Sequence, residues 1–209
     1  MKKTFILFLL SVVATFAQAQ SSPLELNLYG GYTFRDKVDL YDTYAYVNDA
    51  FQYGAGLEYY FDRSAAIELR YLRMDTKVPL YKYGLDGEQT NPNEDKASIN
   101  YILLGGNYYW GTSQAKAEPY GAFSMGVGIA DAKEGGSITK FAYDFRLGVK
   151  IKTPSMVSIK LHAYLQSIVG GYGGGFYLGT GGAVIGTGYS YVSLLQFGLG
   201  GAIALNFKK

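Results

Sequence analysis

Eight ionisable side chains fall in alternating rows whose other members are small or polar: Glu25, Glu58, Glu68 and Asp144, with Arg70, Arg146, Lys150 and Lys160. His162, the only histidine, lies on the same kind of row. Four acids against four bases is the make-up of a neutralised interior network, because an unpaired buried charge is costly. The turn Asp62-Arg63-Ser64 puts Phe61 across from Ala65 and therefore Glu58 across from Glu68. Like charges directly opposite repel. Arg70, diagonal to Glu58, is expected to bridge them, aided by a cation from another strand. As a catalytic base His162 would need a nucleophile and an orienting acid. Ser158 and Ser167 are within sequence reach, but a histidine satisfied inside the polar row is the expectation, and no enzyme activity is expected. One histidine and no cysteine speak against a transition-metal site. The acidic tract Asp86-Gly87-Glu88 to Asn93-Glu94-Asp95 lacks the spacing of a calcium loop and reads as a solvated loop. No cofactor is expected.

The elements that carry these groups have a period of two. Phe141, Tyr143, Phe145, Leu147, Val149 and Ile151 alternate with Asp144, Arg146 and Lys150. Ile67, Leu69 and Tyr71 alternate with Glu68 and Arg70; Val157, Ile159, Leu161, Ala163 and Leu165 alternate with Lys160, His162 and Gln166. Such rows mark strands with one apolar face. Further strands fall at 51–61 and 195–207, with weaker ones at 24–35, 98–109 and 119–130, which makes eight. Each is near the ~9–11 residues a tilted strand needs to cross a bilayer. Long connections at 36–50, 75–97, 131–139 and about 169–190 alternate with short ones.

Residues 1–19 read as a cleaved signal peptide. Lys2 and Lys3 precede an apolar run from Phe5 to Phe16, and Ala17-Gln18-Ala19 supplies the small–x–small cleavage pattern. Residues 20–209 are then one barrel domain, with 17 basic and 17 acidic groups once the two leading lysines are gone. That balance excludes a nucleic-acid partner that depends on many phosphate contacts. From Leu161 to Phe207 the chain runs 47 residues without Asp, Glu, Lys or Arg, too broken by glycine for a helix.

Alternation alone does not say which row faces inward, since a soluble eight-stranded barrel has apolar residues inside. Aromatic residues near strand ends favour the inverted, membrane version, because they form interfacial girdles. They are Tyr59, Tyr60, Phe61, Tyr108, Tyr109, Trp110 and Tyr120 toward the short turns, and Tyr32, Phe34, Phe51, Tyr53, Phe141 and Tyr143 toward the loops. The expected fold is all-β, an eight-stranded antiparallel up-and-down transmembrane barrel in the outer membrane, both termini periplasmic. On these rows, and on the alternating run Leu195 to Phe207 that closes on an aromatic, the sequence resembles OmpA-type and OmpW-like outer-membrane barrels. Gln20 after Ala19 resembles signal-peptide junctions of Bacteroidota. The resemblance implies outer-membrane lipid and the barrel-insertion machinery as partners, and a monomer.

Two roles stay open: a structural or surface-interaction protein with a closed lumen, or a narrow channel or transporter for small or hydrophobic solutes. Residues 170–188 hold ten glycines and no charge. Their Phe176, Tyr177, Leu178, Val184 and Ile185 are a candidate mouth or partner surface, for an extracellular protein or hydrophobic ligand. The simpler expectation is a hairpin prolonging the last two strands, or an added pair raising the count to ten.

Overall fold

The computed structural model describes residues 24–39, 43–82, 96–111, 115–132, 136–169, 175–179, 182–186 and 193–206. Residues 1–19, expected to be a signal peptide, the acidic tract at 86–95 and Phe207 lie outside them. Eight strands form a closed antiparallel barrel: β1 (Leu24–Thr33), β4 (Ala50–Tyr60), β5 (Ala65–Lys77), β7 (Lys96–Tyr109), β8 (Ala117–Ala132), β9 (Gly136–Lys152), β10 (Val157–Val169) and β13 (Ser193–Asn206). β1 pairs with β13 to close the wall, Glu25 opposite Asn206 and Thr33 opposite Gly198. Every other barrel contact joins consecutive members of this series, the up-and-down order of the sequence reading.

Side-chain direction follows the period of two. Along β5, Ala66, Glu68, Arg70, Leu72, Met74 and Thr76 are buried, whereas Ile67, Leu69 and Tyr71 are exposed. On β9 the exposed row holds Phe145 and Leu147, and the buried row Asp144, Arg146 and Lys150. The barrel therefore turns charge inward and apolar surface outward. Leu147 is 68% exposed and Lys160 0%, the reverse of a soluble protein.

The aromatic girdles need one correction. Tyr59, Phe61, Tyr108 and Trp110 face outward at the turn end, and Tyr32, Phe34, Phe51, Tyr53 and Phe141 at the loop end. Tyr109 and Tyr120, expected in the girdle, are buried in the lumen, and Tyr60 points there too, its hydroxyl 3.4 Å from Glu25 Oε1. Each lies one residue off the outward row, so strand parity overrides proximity to a strand end. Room for luminal rings comes from glycine: Tyr164 lies across Gly198, where a Cβ would stand 2.2 Å from the ring.

The connections also differ from expectation. β8 and β9 stay paired out to Ala132 opposite Gly136, so the third loop is three residues rather than the span 131–139. Gly136 has φ +80°, a conformation that favours glycine. The first two loops fold into a three-stranded sheet of β2 (Asp36–Asp39), β3 (Thr43–Val47) and β6 (Leu80–Lys82). Its inner face places Val38, Ala45, Val47 and Leu80 in one buried cluster with the luminal Leu72, Met74, Ile99, Tyr101 and Leu103. β11 (Gly175–Gly179) and β12 (Gly182–Gly186) form a separate two-stranded hairpin, so the barrel keeps eight strands. Phe176 is opposite Ile185 and Tyr177 opposite Val184 there. The side chains of Phe176, Tyr177, Leu178, Val184 and Ile185 lie outside the described residues.

Candidate functional site: the luminal charge network

The register that aligns Glu58 with Glu68 also aligns Glu58 with Glu25, so three carboxylates sit side by side on β1, β4 and β5. All three are at most 1% exposed. Their neutralising cations come from across the lumen, on β9 and β10. Lys160 Nζ lies 2.6 Å from Glu25 Oε1 and also contacts Glu58. Lys150 Nζ is 2.5 Å from Glu25 Oε2, and Arg146 Nη2 is 2.7 Å from Glu68 Oε2. Arg146 Nε reaches back along its own strand to Asp144 at 3.2 Å, and Arg70 pairs with the same Asp144 carboxylate.

The expected bridge is therefore reassigned. Arg70 does not join Glu58 to Glu68 but spans the lumen to Asp144; Lys160 and Arg146 neutralise the two glutamates. Neutral donors complete the shell. Asn27 Nδ2 donates to Glu58 (3.0 Å) and Glu68 (2.9 Å), and Asn107 Nδ2 to Glu58 (2.7 Å). The hydroxyls of Tyr109 and Tyr29 donate to Glu58 (2.6 Å) and Glu68 (2.5 Å). Tyr60 joins Lys150 at 2.9 Å. Buried carboxylates need such multiple donors, because Coulomb attraction alone rarely offsets the loss of water. Asn27, Tyr29, Tyr60, Asn107 and Tyr109 are members that the charge pattern missed; inward parity on their strands is the signal that identifies them.

His162 sits beside this network. Its Nδ1 is 2.9 Å from the Tyr120 hydroxyl, and its ring packs against Tyr29, Tyr120 and Tyr164. Ser158 Oγ, a nucleophile candidate, accepts from Asn206 Nδ2 at 3.4 Å. Among the described residues no group of three or more His, Cys, Asp or Glu is placed to hold a metal ion.

Beside Arg70, Asp144 and Arg146 the described residues leave a void of about 10 Å³ that Tyr29, Gln52, His162 and Tyr164 also line, about the room of one water. Gln52 Nε2 donates to Gln166 Oε1 at 3.1 Å, and Thr33 and Tyr164 share a 2.7 Å bond. The apolar cluster capped by the loop sheet follows. A surface cleft of about 660 Å³ at the loop end runs between Asn48, Asp75, Lys96 and Asp131.

A family model described as outer membrane protein beta-barrel domain matches residues 5–190. Comparison with curated proteins returns no match. Among solved structures, Neisserial surface protein A is similar at 15% identity and a TM-score of 0.60, covering 88% of this chain and 97% of its own. The N-terminal barrel domain of Pseudomonas aeruginosa OprF is 13% identical with a TM-score of 0.48, covering 89% of this chain and 100% of its own. The attachment invasion locus protein Ail of Yersinia pestis is 12% identical with a TM-score of 0.44, covering 87% and 98% respectively.

Proposed function

The chain belongs to the outer membrane protein β-barrel domain family and sits in the outer membrane, and on that premise we propose a closed barrel with a structural or surface-interaction role. Residues 1–19 act as the cleaved signal peptide. The described chain ends, Leu24 and Asn206, lie at the short-turn end of the barrel, which in this family of architectures faces the periplasm. The loop sheet then faces the exterior, where loops carry specificity. Outer-membrane lipid surrounds the apolar belt, and the insertion machinery places the barrel there. Luminal residues Glu25, Glu58, Glu68, Arg70, Asp144, Arg146, Lys150, Lys160 and His162 act as a structural stopper rather than as a catalytic or conducting set.

The observation that carries the reading is the double filling of the lumen. An ionic layer with its charges paired lies toward the turns, and an apolar layer under the loop sheet lies toward the loops. An open pore would need a larger ring and a constriction of one net sign. A narrow pathway for small solutes is favoured by one feature. Tyr101 Oη, Gln166 Nε2 and both amide atoms of Gln196 are buried without a hydrogen-bond partner among the described residues, polar groups that a hydrated path would serve. Planar-bilayer recording of the wild type and Arg70→Ala tests both readings. The closed-barrel reading predicts no current steps in either protein. Steps in the wild type would overturn it, and steps in Arg70→Ala alone would assign the lumen to a gated path.

A further inference from the structure

The lumen holds a run of aromatic rings that charge pairing does not require. Tyr60 stacks on Tyr109 with centroids 5.6 Å apart, Tyr109 meets Tyr120 at 5.4 Å, and Tyr120 meets His162 at 6.3 Å. These are contact separations for aromatic rings, short enough for an electron to pass from each to the next. Tyr109 and Tyr120 are cross-strand partners and at most 2% exposed, whereas Tyr60 at the turn end is half-buried. Trp110, the single tryptophan, lies behind this run on the outer face. It follows Tyr109 in the chain, and its ring crosses Gly121, the neighbour of Tyr120, where a Cβ would stand 2.6 Å from the indole. The missing side chain lets the indole lie against the wall.

The hydroxyls of Tyr109 and Tyr120 both meet a proton acceptor, but the acceptors differ. Tyr109 donates at 2.6 Å to Glu58, a carboxylate already engaged by Lys160, Asn27 and Asn107. Lys150 and Lys160 also lie 5.5 and 5.6 Å from the Tyr109 ring centroid, where a cation opposes positive charge on the ring. Tyr120 Oη lies 2.9 Å from His162 Nδ1; in the Nε2–H tautomer that nitrogen accepts from the hydroxyl and can take its proton outright. We propose that Tyr120 is a redox-active tyrosine with His162 as its proton acceptor, joined through Tyr109 and Trp110 to a one-electron oxidant in the bilayer, a lipid peroxyl radical. One electron leaves Tyr120 by that route, and the reduced peroxyl group takes a proton from interfacial water to become a hydroperoxide. The O–H bond of Tyr120 breaks and its proton bonds to His162 Nδ1. A thiolate at Tyr60 returns one electron, His162 returns the proton, and two thiyl radicals couple to a disulfide. The sum is two peroxyl radicals and two thiols giving two hydroperoxides and one disulfide. Electrons move and ions do not, so a closed lumen permits the relay.

Flash photo-oxidation of the full barrel in lipid vesicles, with light that tryptophan absorbs and tyrosine does not, tests the proposal; optical absorption follows the radicals. The wild type is expected to replace the Trp110 radical with a long-lived tyrosyl radical, more slowly in heavy water because a proton moves with the electron. Tyr120→Phe should lose the long-lived radical. His162→Gln, which leaves every tyrosine in place, should lose it too, and Trp110→Phe should form none. Tyr101→Phe removes a fully buried tyrosine outside the run and should behave as the wild type. Heat-dependent gel mobility checks that each variant still forms the barrel. Absence of the long-lived radical from the wild type would overturn the proposal. So would its survival in Tyr120→Phe or His162→Gln, or an equal loss in Tyr101→Phe, with the barrel intact. Conductance does not enter this measurement. Current steps would leave the relay standing, and loss of the radical would leave the closed-lumen reading untouched.

Discussion

Lys160 is the most connected cation of the lumen. It is 0% exposed, lies 2.6 Å from Glu25 and also contacts Glu58. With an effective dielectric of about 20, one charge pair at that separation attracts by about 6 kcal/mol. Desolvation of both partners offsets much of this, so the net worth of the pair is smaller than the attraction. Lys160→Met removes the attraction while leaving the carboxylates buried. Glu25 keeps Lys150 at 2.5 Å, but Glu58 retains only neutral donors beside the like-charged Glu68. Breaking a buried pair from one side costs about 3–5 kcal/mol, and that is the expected loss. Urea unfolding of the barrel in lipid vesicles, followed by heat-dependent gel mobility, measures it. Lys160→Met/Glu58→Gln, which removes one charge of each sign, should recover most of the loss. Arg73→Met provides the exposed control: Arg73 and Asp75 are 38% and 54% exposed where they meet, and the expected cost is a small fraction of that loss. A loss in Lys160→Met no larger than in the control, or no recovery in the double variant, would refute the reasoning.

Leu147→Arg puts a cation on the lipid-facing row of β9 at a position 68% exposed, and should cost about 2–4 kcal/mol in the same unfolding assay. Gly198→Val forces a branched side chain into the space of Tyr164, 2.2 Å from the Cβ position; the expected loss is about 1–3 kcal/mol, with Tyr164→Leu restoring part of it. Val47→Asp places a carboxylate where the loop sheet meets the barrel, at a site 3% exposed. Limited proteolysis should then cut the first two loops faster, with the gel mobility of the folded barrel unchanged.

The strands and their inward rows were legible because a single rule, alternation, governs every crossing. β9 carries the rule without interruption from Phe141 to Ile151, and its charges all fall on the row that the structure buries. The identity of the charge partners was not legible. Arg70 and Asp144 are 74 residues apart on strands that do not neighbour each other. Their meeting depends on how the barrel curves and staggers its strands, which pairwise register does not encode. Tyr109 and Tyr120 turn into the lumen because parity, and not nearness to a strand end, decides which way a strand side chain points. The loop sheet was not legible in the long connections 36–50 and 75–97, because β3 pairs with β6 across the whole of β4 and β5. The alternation Tyr44, Ala45, Tyr46, Val47 was the local signal that one face is covered.

One labelling experiment tests the central claim, that the barrel is greasy outside and solid within. The sequence holds no cysteine, so a single introduced thiol is unambiguous. Ser124, 2% exposed, and Met125, 48% exposed, are neighbours on β8 facing opposite ways. In lipid vesicles, a fluorophore on Met125→Cys should be quenched by a quencher attached to acyl chains. Ser124→Cys should resist a membrane-impermeant maleimide from either side until the barrel is unfolded. Rapid labelling of Ser124→Cys in the folded barrel would mean a water-filled lumen and would contradict the account.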